Sequence, residues 1–196
     1  PLLRREEEIN LARKIDVTRA TFRRKILEND YAARAAADIL RQVESGQLPF
    51  DRTMRLSSAG TISKGAILKR IPTNLDTVDK MLERNSRDWE ALNNGSARGK
   101  KREAIRARLC ARRRRMAALV EEVALRTSRI APSMRKLQNM SCKMQELLSK
   151  LDNGRVSDQP TEEQLIAHEE LIEVEAAAQE SAEDLRERCD SIRQVY

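Results

Sequence analysis

The chain has 196 residues, of which 35% are charged and only 3% are aromatic, and its formal net charge is +7. Few aromatic residues together with abundant Ala, Leu, Arg and Glu indicate long helices packed through narrow seams. No apolar run approaches the roughly 18 residues that a membrane-spanning helix needs, which excludes a membrane span.

The charge is unevenly distributed along the sequence. Residues 1–151 hold 34 Lys and Arg against 18 Asp and Glu, a net charge of +16, whereas residues 152–196 hold 4 against 13, a net charge of −9. This asymmetry predicts a polyanion near the first part, a basic partner near the second, or contact between the two parts. Three cysteines without metal-ligand spacing fit a reducing cytoplasm.

The first predicted element is a helix from residue 4 to about residue 45, with a possible break near Asn29-Asp30. Glutamates at positions 6 to 8 lie where the positive end of the helix dipole favours them, and Ser45-Gly46 is typical of a helix C-terminus. Residues 47–61 lack helical periodicity and contain Pro, Gly and Ser, so they predict a loop.

A short helix is predicted after Ser63, and we expect Pro72 to stop it. Thr73-Asn74 then offers an N-cap for a helix that extends to residue 93. Its apolar stripe, interrupted by one asparagine, has alternating spacings of 3 and 4 and comprises Leu75, Val78, Leu82, Asn85, Trp89 and Leu92. The segment "NNGSARG" (93–99) predicts a turn.

The same periodicity continues from residue 100 to residue 151, where we expect Pro132 to kink the helix or split it in two. A loop is predicted over 152–160, and Thr161 and Gln164 form a capping-box pattern that starts a last helix extending to residue 196. This helix carries the stripe His168, Leu171, Glu175, Ala178, Ala182, Leu185, Cys189, Ile192 and Tyr196.

The predicted fold is all-α: an elongated antiparallel helical bundle with coiled-coil-like hairpins, because short connections join the helices at 73–93, 100–151 and 161–196. The predicted divisions are a helical segment over 1–45, a linker with a short helix over 46–72, and helical hairpins over 73–196. Within the hairpins, 98–151 is basic and 161–196 is acidic.

No catalytic constellation is evident, so we expect a non-enzymatic protein without cofactor or metal. "GSARGKK" (95–101) resembles a phosphate-binding loop but has only three residues between its glycines and no preceding strand. His168 is the only histidine and has no nucleophile or ligand set at suitable spacing, so it is interpreted as a surface or seam residue.

The segment "RGKKREAIRARLCARRRR" (98–115) carries ten cations and one anion. Consecutive arginines step round a helix by about 100° each, so no single face holds them all. The charge can be compensated by DNA phosphate or by the acidic helix of the same chain, or it can remain solvated. The candidate DNA-binding residues in this segment are Lys100, Lys101, Arg102, Arg106 and Arg113.

The opening stretch "PLLRREEEINLARKID" resembles region 1.2 of the primary sigma factors of bacterial RNA polymerase, whose pattern is close to P-L-L-T-R-E-E-E-I-E-L-A-K-R-I-E. Arg4 departs from it, since the family usually has a threonine N-cap there. Residues 46–196 resemble the helical insertion that often precedes region 2.1 in this family. Because the chain begins at Pro1 without Met, we expect a fragment of a longer protein.

The resemblance implies a transcription initiation factor that binds core RNA polymerase and directs it to promoter DNA, with region 1.2 near the discriminator downstream of the −10 element. It places Arg4, Arg5, Arg13 and Lys14 nearest DNA, and it implies that Ile9, Leu11, Ala12 and Ile15 pack the helix against its neighbours. The expected location is the cytoplasm, with no membrane and no small-molecule substrate. The alternatives are a cytoplasmic helical scaffold or coiled-coil adaptor that binds another protein, and a stand-alone basic nucleic-acid-binding bundle.

Overall fold

The computed structural model describes residues 4–55, 63–153 and 161–195. Within these ranges the chain forms eight α-helices, and the only extended pairing is an isolated antiparallel bridge between Met54 and Leu125. The all-α prediction is confirmed. The helices are α1 (Arg5–Leu27), α2 (Asp30–Glu44), α3 (Phe50–Thr53), α4 (Lys64–Asn93), α5 (Lys100–Glu122), α6 (Thr127–Asn153), α7 (Glu162–Ala178) and α8 (Ala182–Arg193).

The predicted break near Asn29-Asp30 is confirmed, and Asn29 explains it. Its side-chain oxygen accepts a hydrogen bond from the backbone N–H of Ala32 at 3.2 Å, which caps α2. Its amide donates to the carbonyl of Ala178 at 3.1 Å, so the same residue also satisfies the end of α7. The predicted C-cap is likewise confirmed, because Gly46 follows α2 with a φ of 77°.

Helices α4 and α5 run antiparallel, as the hydrogen bonds between them show. Arg102 donates to the carbonyl of Leu92, and Arg112 donates to the side chain of Asn85, so the contact moves back along α4 as it advances along α5. The predicted turn between them is confirmed, since α4 ends at Asn93 and α5 begins at Lys100. The tip of this hairpin has its own small apolar cluster: Leu92, Ala97, Ile105 and Leu109.

The expected stop at Pro72 is wrong, because α4 continues through it to Asn93. Ile71 and Leu75 are buried on either side of it, and Pro72 itself is exposed, so burial of the apolar face outweighs one missing backbone hydrogen bond. The expected N-cap at Thr73-Asn74 is also wrong: the Asn74 amide instead donates to the carbonyl of Leu119 at 2.9 Å.

The long helix predicted over 100–151 is indeed divided, but Pro132 is not the place. It lies inside α6, and the break comes before it, where Ala124 has a left-handed φ of 57°. The backbone N–H of Arg55 donates to the Ala124 carbonyl at 2.7 Å, and that of Arg126 donates to the Thr53 carbonyl at 3.0 Å. A distant segment therefore satisfies the backbone groups that the break exposes.

The single last helix predicted over 161–196 is also wrong. The capping box that starts it is confirmed, with Thr161 and Gln164 exchanging two hydrogen bonds of 2.9 and 3.3 Å. However, Gln179 has a left-handed φ of 53°, and α8 starts afresh with the Ser181 hydroxyl accepting from the Asp184 N–H. This break exists because buried contacts, described below, hold the residues that form it.

Almost all the predicted stripe residues of α4, α5, α6 and α8 that the structure describes are buried or half-buried. Leu92, Ile105 and Leu109 belong to the hairpin-tip cluster, and most of the others lie in one large apolar core, which also takes residues from α1, α2 and α3. This core is continuous across the predicted divisions at 45/46 and 72/73. Part of the predicted 47–61 loop forms the short helix α3, whereas residues 56–62 and the predicted loop residues 154–160 lie outside the described ranges.

Replacing Pro72 with alanine should stabilise the protein. The change restores a backbone donor within α4 and removes a steric conflict with the preceding turn, which outweighs the greater freedom of the unfolded chain. We expect the free energy of unfolding to rise by about 1–2 kcal/mol in urea denaturation. Pro49→Ala, at the N-cap of α3, is the matched control and should give no such gain.

Candidate nucleic-acid interface

The amino-terminal half of α1 projects away from the apolar core. Every residue from Arg4 to Val17 is exposed, including Leu11 at 48% and Ile15 at 42%. No residue of the described ranges covers Ile9, Leu11, Ala12 and Ile15, so their expected packing against neighbours stays a prediction about surfaces outside these ranges. The reason is geometric, because the first α1 side chain that is buried in the core is Phe22.

The apolar stripe of α1 nevertheless continues beyond the core. Leu11 and Ile15 are separated from the buried Phe22 and Ile26 by spacings of 4, 7 and 4, which place all four on one face of a helix. The core covers only the second pair. An uncovered apolar stripe in register with a buried one is typical of a surface that contacts a partner.

The four candidate DNA-binding residues of α1 are all exposed. None of the side chains of Arg4, Arg5, Arg13 and Lys14 forms an ion pair with a residue of the described ranges. Arg4 occupies the N-cap without capping through its side chain, and its backbone N–H donates to the Glu7 carboxylate at 2.8 Å. The missing hydroxyl of the family pattern thus leaves only half of a capping box.

The candidates on α5 divide into two groups. Lys100, Lys101 and Arg106 are exposed and have no ion pair with a described residue. Arg102 is also exposed, but its guanidinium donates to the Leu92 carbonyl at 3.0 Å and satisfies the end of α4. These four residues lie near the tip of the α4–α5 hairpin.

Arg113 has an internal role. Its side chain is only 13% exposed, and its Nε donates to Asp30 Oδ2 at 2.6 Å. Its two terminal nitrogens donate to Glu180 Oε1 at 3.2 Å and to the Gln179 carbonyl at 2.6 Å. Five donors in a fixed fork suit a residue that must satisfy several buried acceptors at once. Arg113 therefore holds the fold together, and its guanidinium is not presented to DNA.

Glu180 is only 1% exposed, and it accepts from Arg113 and Arg188. Asp30, equally buried, accepts from Arg113 and from the Asn85 amide. Burial lowers the pKa of the Arg188 guanidinium, but the charge of Glu180 and its hydrogen bonds outweigh that effect and raise this pKa above its ordinary value.

Asn85 connects this network to a second pair of charges, which joins α5 to α4. Its carbonyl oxygen accepts from Arg112 Nε at 2.6 Å, and Arg112 also pairs with Asp88. Arg108 reaches the same Asp88 carboxylate at 3.1 Å. Part of the basic segment is thus compensated internally, by α2, α4 and the α7–α8 break. Glu180 is the acidic-segment residue that takes part.

The remaining sequence candidates carry no site among the described residues. The "GSARGKK" segment is a turn in which Gly95 and Gly99 have φ values of 65° and 52°. His168 is exposed. The described ranges hold no group of three or more His, Cys, Asp or Glu that could bind a metal. No helix within them is long and apolar enough to cross a membrane.

Sequence reasoning missed an open cleft of about 420 Å³ between the α4–α5 hairpin and the α7–α8 break. Trp89, Arg102 and Arg106 contribute to one wall and Gln179 to the other. The Gln179 side chain donates to the Ser86 hydroxyl, while its own oxygen is buried without a partner among the described residues. The cleft depends on the helix break at Gln179, whose local signal in the sequence is the N-cap pattern of Ser181 and Asp184 that starts α8.

Neither a protein-family model nor a curated protein matches this chain. Its function must therefore be argued from its own residues and from the resemblance of its amino-terminal segment.

Arg113→Met should destabilise the protein by about 3–5 kcal/mol, because it leaves the buried carboxylates of Asp30 and Glu180 without their shared cation. Urea denaturation measures the change. The control is Arg114→Met, one residue further along α5, where the side chain is exposed and the loss should stay within about 0.5 kcal/mol. Equal effects of the two changes would contradict the structural role of Arg113.

The three thiols should differ in reactivity. Burial raises the pKa of the Cys189 thiol, and the nearby Glu180 charge adds to the effect, whereas Cys110 and Cys142 are exposed. A raised pKa means less thiolate at a given pH, and the thiolate is the nucleophile. At pH 8, Ellman's reagent should react rapidly with two thiols and slowly with the third. In denaturant all three should react alike.

Proposed function

We propose that this chain is part of a primary-type sigma factor, comprising region 1.2 and the helical insertion that follows it. The single observation that carries the proposal is the exposed amino-terminal half of α1. The segment with the region 1.2 pattern is also the segment whose apolar stripe and cations find no partner in the described ranges. Such a segment is suited to intermolecular or interdomain contact.

The apolar part of this segment supports attachment to other parts of a sigma factor or to polymerase. Covering Leu11 and Ile15 would extend the stripe that already buries Phe22 and Ile26, and each fully buried aliphatic side chain stabilises by about 1.5–3 kcal/mol. In this family, helices outside the present chain would supply the covering surface. We expect α1 to be the element that joins the helical insertion to the promoter-reading part of the factor.

The charged part of the segment supports an approach to promoter DNA. Arg4, Arg5, Arg13 and Lys14 are solvated and uncompensated, so each can neutralise a phosphate and release a counterion. Lys100, Lys101 and Arg106 at the hairpin tip are secondary candidates for the same reason. Arg102 is a weaker candidate because its guanidinium also caps α4, and Arg113 is not included in the proposal.

The proposal includes a non-enzymatic, cytoplasmic protein whose partners are core RNA polymerase and promoter DNA. The helical body, α2 to α8, would act as a charged spacer between working parts. No covalent step is assigned to any of its residues.

One observation favours the alternative, a helical adaptor that binds another protein. The outward side of α7 exposes three large apolar residues, Leu165, Ile166 and Ile172, each more than half exposed. Glutamates flank them on the same helix. An acidic rim around apolar residues suits a basic, apolar surface on a protein partner.

The experiment uses the full-length protein that carries this chain, mixed with core RNA polymerase and promoter DNA. Arg4→Glu with Arg5→Glu should reduce open-complex formation about tenfold, because two phosphate-directed cations become anions. Permanganate footprinting of unpaired thymines measures open complexes. The control is Arg70→Glu with Arg84→Glu, two exposed arginines on α4, which should leave the footprint unchanged.

Two outcomes would separate the alternatives. Unchanged melting in the Arg4 and Arg5 double variant would contradict the DNA assignment. Failure of the unaltered protein to bind core polymerase, measured by co-elution in gel filtration, would reject the sigma-factor proposal in favour of the adaptor.

A further inference from the structure

A groove of about 690 Å³ lies where α1, α6 and α8 meet, close to the Met54–Leu125 bridge. We call it the arginine groove, because six arginines contribute to its lining and only one carboxylate, Asp16, does so. None of the six except Arg23 is deeply buried. The six are Arg19, Arg23, Arg55, Arg126, Arg135 and Arg193.

The positive charge of the groove is only partly compensated. Arg23 is paired with Glu121 through two hydrogen bonds of 2.7 and 2.9 Å, and Arg193 lies 3.4 Å from Asp190. Arg55 lies 4.0 Å from the carboxylate of Glu121, which is already paired with Arg23. Six cations thus meet three carboxylates, Asp16 included, which leaves a net charge of +3.

Two further features concentrate this charge at one end. The Arg126 guanidinium donates to the carbonyls of Met54 and Asp51, which position it without neutralising it. The groove also includes Thr127 and Ser128, the first two residues of the 27-residue helix α6. The positive end of that helix dipole adds to the field of the arginines. Burial, with repulsion from Arg23, lowers the pKa of Arg55, as expected where cations crowd.

The floor of the groove is apolar. Phe22, Ala131, Met134 and Ile192 contribute to its lining. Pockets of about 300–1,000 Å³ that combine apolar walls with a few converging polar groups are typical of small-molecule sites. A ligand that fits has a strongly anionic part for the arginines and a flat, apolar part for the floor.

We propose that the arginine groove binds a nucleoside polyphosphate. Its phosphates lie against Arg55, Arg126 and the start of α6, where guanidinium groups form bidentate, charge-assisted hydrogen bonds. Its base lies on the floor beside Ala131. The limited volume of the groove and its single aromatic residue, Phe22, which is buried, favour one nucleotide over a single strand stacked on successive rings.

This ligand is bound and not consumed, so the inference adds a small-molecule partner that the sequence did not predict. It stands independently of the sigma-factor proposal, since the residues assigned to the ligand, Arg55, Arg126, Ala131 and the start of α6, lie outside the opening stretch "PLLRREEEINLARKID" and are not α5 candidates.

The test is isothermal titration calorimetry of this chain with ATP and, separately, with inorganic pyrophosphate. ATP should bind at least about tenfold more tightly than pyrophosphate, because only ATP uses the floor. Arg55→Gln with Arg135→Gln should weaken ATP binding about tenfold or more, since charge-assisted hydrogen bonds are lost. The matched control, Arg70→Gln with Arg84→Gln, should change it less than twofold.

A second variant separates the floor from the charge. Ala131 is half-buried on α6, so Ala131→Phe fills the groove without removing a cation. ATP binding should fall about tenfold or more, while pyrophosphate binding is retained. Retained pyrophosphate binding also shows that this variant is folded.

Three outcomes would overturn the proposal. The first is no heat of ATP binding at millimolar concentration. The second is pyrophosphate binding as tightly as ATP, which would reduce the groove to a simple anion site. The third is a short single-stranded oligonucleotide that binds at least tenfold more tightly than ATP and loses that affinity in the Arg55 and Arg135 double variant, which would make the groove a nucleic-acid surface.

Discussion

The fold depends on two buried carboxylates, Asp30 and Glu180, that share the guanidinium of Arg113. Each is 1% exposed, so each needs a charged partner with good geometry. One lies at the start of α2 and the other in the break between α7 and α8, while Arg113 lies in the middle of α5. Helix α4 joins this network through Asn85, whose side chain is hydrogen-bonded to both Asp30 and Arg112. Four parts of the chain are thereby fixed in one register, and a shift of any helix by a turn would leave a charge unpaired.

This arrangement divides the excess of basic residues into two populations with different consequences. Arg108, Arg112 and Arg113 of α5 are paired with internal acceptors, so they contribute to the specificity of packing. The cations of early α1, of the hairpin tip and of the arginine groove remain largely uncompensated by described residues. Net charge alone could not distinguish these populations, because the difference lies in which arginines meet carboxylates brought from distant positions. The surfaces that can attract anions are therefore set by the fold, although the sequence supplies the charge.

The sequence predicted elements well wherever the information was local. Periodicity identified the apolar faces of α4, α5, α6 and α8, and capping signals located the end of α2 and the start of α7. The sequence-based predictions failed where contacts between distant residues determined whether a helix continues or breaks. Pro72 predicts the end of a helix, but α4 continues through it because Ile71 and Leu75 on either side are buried. Ala124 gives no local sign of a left-handed turn, yet hydrogen bonds with the segment around Met54 place the break there. The exposure of Leu11 and Ile15 was missed for the same reason, because periodicity shows that a face is apolar and does not show what covers it.

By itself the sequence determined an all-helical chain, most of the faces that its helices bury, and its segregated charge. These follow from side-chain period, capping chemistry and composition, which act over a few residues. The tertiary structure alone decided that Arg113 is an internal cation, that α7 and α8 are separate helices, and that arginines from four parts of the chain converge on one groove. The physical reason is that burial and ion pairing depend on which residues meet across the fold, and residues such as Arg55 and Arg193, far apart in sequence, have no local signal of their meeting.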